Sequence, residues 1–187
     1  MEKNIIFYGI KGERFETLER ISFAYGFGLR EVQDYEIDMK VGDIIDGVKL
    51  EKPENFIYED KLGDDFEYML FVNIKDDELY KFLDEIKASG VYVPHKAVLT
   101  ANNINWPLSY LMNENKEEHK VMGVYGELRK IMKIGAQLAE ETNDPQLKDI
   151  LVEAEDYFHP REFEFEELKD IYNRLATKIN EILESRK

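Results

Sequence analysis

The feature that most constrains the fold of this chain is a pattern of apolar residues that occurs twice in its first hundred residues. Each copy begins with a short apolar run, "NIIFYGI" in the first and "FEYMLFVNI" in the second, which is typical of a β-strand. Apolar residues at spacings of three and four then indicate an amphipathic helix, and a further β-prone run, "LREVQDYEI" or "VYVPHKAVLT", follows it. The sequence therefore predicts two β–α–β units.

Two β–α–β units in this length are typical of an α+β fold of the ferredoxin-like, split β–α–β type. In that fold two helices cover one face of a four-stranded antiparallel sheet. A small parallel α/β sheet is the alternative, because the pattern of apolar residues does not determine the order of the strands. We predict a sandwich domain over residues 1–100, in which an acidic connector at residues 38–65 joins the two units.

After Thr100 the strand patterns end, and the rest of the chain has the apolar periodicity of helices. Of the four predicted helices, the first is capped by Asn105, and the third begins near Asp144 with Pro145 at its first position. We expect residues 101–187 to form a helical layer or bundle. This helical region is predicted to pack on the first domain or to provide an interface.

The composition excludes several classes of function. The chain of 187 residues has no cysteine, so disulfides, thiolate nucleophiles, cysteine-ligated zinc and iron–sulfur clusters are excluded. Its net charge of −15 repels polyanions, and no basic patch offsets this charge, so we expect no nucleic-acid partner. No secretory signal or long apolar segment is found, which predicts a soluble, cytoplasmic protein without membrane contact.

The sequence contains no pattern that indicates catalysis or metal binding. Its three histidines, His95, His119 and His159, lie in different predicted elements without the spacing of a metal site. Neither a nucleophile motif nor a phosphate-binding glycine loop occurs, and the acidic connector lacks the spacing of a calcium loop. We therefore expect no catalytic residues, no metal and no cofactor.

The most distinctive segment is "VPHKAVLTANNINW", residues 93–106, in which a predicted strand ends close to the only tryptophan. On a structural interpretation its polar side chains bond the backbone of a turn, cap the next helix and place the tryptophan beneath it. On a functional interpretation the strand end and the helix N-terminus bind a small anion, with a lysine providing charge. The candidate ligand-binding residues are Lys96, Thr100, Asn103, Asn105 and Trp106.

Part of the chain resembles a known family. Residues 66–119 contain "LFVN", the acidic helix start "DDEL", "VPHKAVLT", "NINW" and "KEEH". This succession is similar to that of the bacterial and archaeal family DUF3783, a domain of unknown function. The resemblance implies a small α+β domain, and it brings no activity, cofactor or catalytic residue with it.

Taken together, these features predict a non-enzymatic interaction or small-ligand-sensing module. Its expected partners are a second copy of the chain, another protein or a small anionic ligand. The alternative is an enzyme that acts on a small anionic substrate through dispersed carboxylates and Lys96, which requires two carboxylates that converge in a pocket with separated pKa values. A structural adaptor without a small ligand is the third class.

Overall fold

The computed structural model describes four stretches of the chain, residues 2–57, 62–63, 65–159 and 164–186. The chain divides into two compact units, Met1–Glu117 and Glu118–Lys187. This division falls later in the chain than the predicted boundary after Thr100, because Leu108 and Met112 are buried in a core of the first unit. The predicted domain limits themselves, residues 1–100 and 101–187, stay predictions.

The first unit is built on a four-stranded mixed sheet. Its strands are β1 (Asn4–Tyr8), β2 (Gly28–Glu31), β3 (Tyr68–Val72) and β4 (His95–Val98). Their order in the sheet is β2-β1-β3-β4. The strands β1 and β2 pair in parallel, as do β3 and β4, whereas the two central strands, β1 and β3, are antiparallel. A mixed α and β architecture with two β–α–β units is therefore present.

The split arrangement predicted for these strands is not confirmed. In a split β–α–β fold, the two strands of one unit are separated by a strand of the other unit. Here β1 lies directly beside β2, and β3 lies directly beside β4, so each unit keeps its parallel pair intact. Apolar periodicity could not have distinguished the two cases, because both strand orders bury the same residues on the same faces.

Two helices connect the strands within the units. They are α1 (Gly12–Tyr25) and α3 (Asp76–Ala88). A short helix, α2 (Val41–Ile45), lies between them in the connector. Both long helices cover the same face of the sheet, as predicted, since their buried residues share one core with the residues of β1 and β3 that point to that face. This core includes Phe7, Leu18, Phe71 and Phe82, all of them at most 2% exposed.

The connector and the beginning of the next helix, α4 (Leu108–Thr142), cover the opposite face of the sheet. Val41 and Ile44 of α2 and Leu108 of α4 are buried there together with Leu70 of β3. With both faces covered, all five residues of β3 are buried, which explains its continuous apolar run. Residues 58–61 and 64 of the acidic connector lie outside the described residues.

The second unit is helical. Besides the later part of α4 it contains α5 (Pro145–Glu155) and α6 (Phe165–Ser185), whose apolar faces share one core with α4. The two helices predicted between Asn105 and Thr142 are one continuous helix, because glycine weakens a helix without ending it and Gly123 lies inside α4. As predicted, α5 begins with Pro145 at its first position, and Asp144 caps it: its Oδ1 accepts the N–H of Leu147 at 2.9 Å.

Candidate functional site

The segment after β4 supplies side chains that bond the outer edge of this edge strand. Asn103 is only 6% exposed, and its Oδ1 accepts the N–H of Thr100 at 2.8 Å while its Nδ2 donates to the carbonyl of Val98 at 3.0 Å. Asn115 of α4 donates in the same way to the carbonyl of Lys96, also at 3.0 Å. Unpaired carbonyls on an edge strand can pair with another chain. Two asparagine amides therefore occupy carbonyls that β4 presents away from β3.

The side chain of Lys96 is engaged elsewhere. Its ammonium lies 5.0 Å from the centroid of the Tyr92 ring and donates a hydrogen bond to the carbonyl of Val93. Burial, and after it the charge of Lys87, lowers the pKa of Lys96. Together with Asp84 these residues line a small pocket of about 160 Å³. The described contacts of the lysine are thus with the segment that precedes β4.

The N-terminus of α4 has its own partners. The N–H of Leu108 donates to the carbonyl of Met39 at 2.9 Å, and the N–H of Ser109 donates to the carbonyl of Ile37 at 2.7 Å. The helix begins at Leu108, so Asn105 is not its N-cap but ends a 3₁₀ turn three residues earlier. Asn105 is not needed as a cap, because carbonyls of the connector backbone accept the hydrogen bonds from N–H groups that a capping side chain would otherwise bond.

The structure therefore separates the five candidate ligand-binding residues. Thr100 and Asn103 bond each other, and Lys96 contacts the chain before its own strand. Asn105 is exposed, and Trp106, 37% exposed, contacts the Tyr110 ring edge-to-face at 5.1 Å between centroids. This geometry favours the structural interpretation of the turn. Ligand binding by these five residues stays a prediction.

A different site lies at the carboxyl ends of β1 and β2. A pocket of about 270 Å³ opens there. At the carboxyl ends of parallel strands the connections diverge, and ligands of open α/β sheets bind in the resulting crevice. The side chains that line the pocket include Tyr8, Lys11, Glu31, Gln33, Asp34 and Phe66.

Three hydrogen-bonded contacts fix one wall of this pocket. The hydroxyl of Tyr8, at the end of β1, donates to Oδ1 of Asp34 at 2.7 Å. The 3₁₀ turn Asp34–Glu36 is anchored by Glu36, which is 3% exposed. Its carboxylate contacts the guanidinium of Arg30 at 2.5 Å and accepts the N–H of Gln33 at 2.9 Å. A buried carboxylate is tolerated only when it is paired and bonded in this way, so the turn that carries Asp34 is held in place.

The loop between β1 and α1 forms another part of the pocket lining. Gly9 has φ +78°, and a Cβ atom at this position would lie 2.2 Å from the carbonyl oxygen of Phe66. Only glycine allows the loop to approach the chain this closely. Lys11 follows in the loop, and no described side chain caps the N-terminus of α1, which begins one residue later. The pocket thus combines an ammonium group with the carboxylates of Glu31 and Asp34.

Sequence reasoning missed this pocket because its residues come from three separate segments. The glycine-containing "GIKG" between the first strand and the first helix indicates a turn, which it is. A usable signal is that the loop leaves the end of one strand of a β–α–β unit, and that the polar residues Gln33 and Asp34 follow the second strand of the same unit.

Negative findings apply only to the described part of the chain. Within it, no three His, Asp or Glu side chains are close enough to hold a metal ion. Over the same residues, no helix combines the length and the apolar character needed to cross a membrane. The expectations of no metal and no membrane partner stay predictions.

The fold and the pocket define a class: an α+β unit with a polar pocket at the ends of two parallel strands, followed by a helical unit. Residues 67–122 match the family described as "Domain of unknown function (DUF3783)", which confirms the resemblance of this part of the chain. The matched segment contains β3, α3, β4 and the first turns of α4, whereas β1 and β2 precede it. No curated protein matches the chain significantly. No solved structure does so either.

Proposed function

We propose that the first unit is a non-enzymatic module that senses a small polar ligand, bound in the pocket at the carboxyl ends of β1 and β2. The observation that carries this proposal is that the polar wall of the pocket is held by the protein itself. Asp34 is bonded by Tyr8, and its turn is anchored by the buried carboxylate of Glu36. Preorganised polar groups raise affinity because less conformational freedom is lost on binding.

The size of the pocket narrows the class of ligand. Its volume of about 270 Å³ lies just below the range that holds drug-sized ligands, about 300–1,000 Å³. A small metabolite therefore fits better than a nucleotide or a peptide. The aromatic ring of Phe66 and the buried Val32 supply the apolar part of the lining.

A ligand screen monitored by NMR tests the proposal. Metabolites that raise the melting temperature are titrated into ¹⁵N-labelled protein, since a ligand at 100 times its Kd adds about 2.7 kcal/mol of stability. We expect the amide shifts to cluster at residues 8–12, 31–34 and 66. For a ligand that carries an acceptor group, the variant Lys11→Gln should weaken binding, whereas Lys81→Gln, which changes an exposed lysine of α3 outside the pocket, should not. Shifts clustered elsewhere would refute the location.

The second candidate is an enzyme that acts on a small anionic substrate through Lys96. One observation favours it: burial and the charge of Lys87 lower the pKa of Lys96, which increases the fraction of neutral, nucleophilic amine. Asp84 lines the same small pocket and supplies one carboxylate. This candidate predicts turnover of an anionic substrate that Lys96→Met abolishes and Lys11→Gln leaves unchanged. If a ligand binds without turnover, and this binding is lost only in Lys11→Gln, the enzyme is excluded and the sensing module remains.

The remaining expectations are also proposals. A cytoplasmic protein that forms a homodimer or binds another protein, and that binds no nucleic acid, is compatible with the charge of −15. Size-exclusion chromatography with light scattering measures the assembly state directly. If the protein is a monomer at all concentrations, the homodimer is excluded and another protein remains as the expected partner.

A further inference from the structure

We infer that the ligand of the strand-end pocket is a small primary amine, whose ammonium group is bound by the carboxylates of Glu31 and Asp34. The inference rests on the proposed function and names the chemistry of its ligand. It departs from the expectation of an anionic ligand, because the pocket described by the structure has the opposite charge balance.

The charge of the lining is the first argument. Glu31 and Asp34 contribute two negative charges and Lys11 one positive charge, so the described lining carries a formal charge of −1. Within the described residues, the side chains of Glu31 and Lys11 are in no ion pair, and the described partner of the Asp34 carboxylate is the neutral hydroxyl of Tyr8. The acidic side of the pocket therefore favours a cationic group on the ligand.

The hydrogen-bonding capacity of Asp34 is the second argument. A carboxylate offers about four acceptor sites, and the hydroxyl of Tyr8 uses one of them. An ammonium group carries three N–H donors and no acceptor, so its chemistry complements an acceptor-rich wall. Bonds between an ammonium and a carboxylate are charge-assisted, and they are stronger than bonds between neutral groups.

The aromatic lining and the field of the whole chain point in the same direction. The ring of Tyr8 lines the pocket, and the faces of aromatic rings attract cations, whereas the ring of Phe66 stacks on His95 with 4.6 Å between the centroids. The net charge of −15 raises the local concentration of cations and lowers that of anions. A free carboxylate or phosphate would have to bind against this field, and Lys11 is the one cationic side chain that the described lining offers it.

Lys11 gives the inference a finer consequence. An acceptor group on the ligand, such as a carboxylate, would bind the Lys11 ammonium while the amine binds the acidic side. We therefore expect a ligand with both groups on a short chain to bind more tightly than an amine without the acceptor.

Three probes with the same three-carbon chain test these statements: propylamine, β-alanine and propionate. Each is titrated into the full chain and followed by the amide shifts of the pocket. We expect propylamine to bind, β-alanine to bind more tightly and propionate not to shift the pocket amides. Asp34→Asn should weaken both amines by about tenfold, since it removes a charge-assisted bond and retains an oxygen that can accept from Tyr8.

The matched control is Asp46→Asn, which removes one negative charge from an exposed residue after α2, outside the pocket. It should leave all three affinities unchanged, which separates the local carboxylate from the overall field. Lys11→Gln should abolish the preference for β-alanine over propylamine. The inference would be overturned if propionate bound as tightly as the amines. It would also be overturned if Asp34→Asn left the binding of the amines unchanged. If none of the probes binds but another metabolite shifts the pocket amides, the proposed function stands and the inference that the ligand is an amine is wrong.

Discussion

The asparagine that sequence analysis assigned to a ligand provides the sharpest test of the structure. Asn103 is 6% exposed, and its amide bonds two backbone groups, the N–H of Thr100 and the carbonyl of Val98. In Asn103→Ala both groups lose their partner. A buried polar group without a partner costs about 1–3 kcal/mol, and these two are only partly buried, so we expect a total loss of about 2–4 kcal/mol.

The neighbouring asparagine is the matched control. Asn102 is exposed and in no described side-chain hydrogen bond, so Asn102→Ala should change the free energy of unfolding by less than about 0.5 kcal/mol. Urea denaturation followed by the fluorescence of Trp106 measures both variants. This residue is the only tryptophan of the chain, and it lies in the same compact unit as Asn103, so its signal reports that unit.

The result that would refute the edge-strand interpretation is a denaturation midpoint of Asn103→Ala equal to that of Asn102→Ala, with the same dependence on urea. If stability is unchanged and a ligand no longer binds, Asn103 is a ligand-binding residue, as the functional interpretation of its segment predicts. If stability falls as expected, binding must be compared at temperatures where the variant is folded. A loss of stability without a loss of affinity would assign Asn103 to the strand edge alone.

Three further predictions concern stability. The hydroxyl of Tyr68 is fully buried, and no group within the described residues bonds it. The variant Tyr68→Phe should therefore leave the free energy of unfolding unchanged or raise it by up to about 1 kcal/mol. A clear loss of stability in urea denaturation would show that the hydroxyl has a partner. Gly9 and Gly47 both have φ +78°, but an added Cβ meets a carbonyl oxygen at 2.2 Å only at Gly9. Gly47→Ala should therefore cost about 1 kcal/mol through backbone strain, and Gly9→Ala clearly more; equal melting temperatures would contradict the close approach. The N–H of Leu147 and a lysine of α6 lower the pKa of Asp144, so its contribution to stability is present above the ordinary pKa and is lost as the pH falls through the lowered value. Asp144→Ala should accordingly lower the melting temperature at pH 7 and have a smaller effect once the pH is below that value, and a pH-independent difference would argue against this titration.

The secondary structure could be predicted from the sequence where a single rule decides the local conformation. The repeated β–α–β pattern and the start of α5 at Pro145 follow from apolar spacing and from the residues that begin a helix. Predictions failed where a distant segment supplies the partner. Asn105 is not the N-cap of α4, because carbonyls of Ile37 and Met39 accept the N–H groups at the start of this helix.

The alternation of side chains along β4 explains why the predicted anion site does not assemble. Lys96 lies opposite Met69 in the sheet, and Met69 belongs to the core beneath α1 and α3. Ala97 and Leu99 instead pack in the core on the other face, together with Leu108 of α4. Successive residues of a strand point to opposite faces, so Lys96 lies on the face away from the helix whose N-terminus it was expected to assist.

The strand order, which the sequence could not determine, is also what creates the pocket. Tyr8 ends β1, and Asp34 lies three residues beyond the end of β2. Their hydrogen bond of 2.7 Å is possible because the two strands are direct neighbours and parallel, with Phe7 opposite Glu31. In a split arrangement a strand of the other unit would lie between them, about 4.8 Å from each, and the two side chains would be separated by nearly twice that distance. The carboxylate that we propose as the amine ligand would then lack the hydroxyl that orients it. Unchanged amine binding in Tyr8→Phe would therefore show that the hydrogen bond from Tyr8 contributes less to the site than this geometry implies.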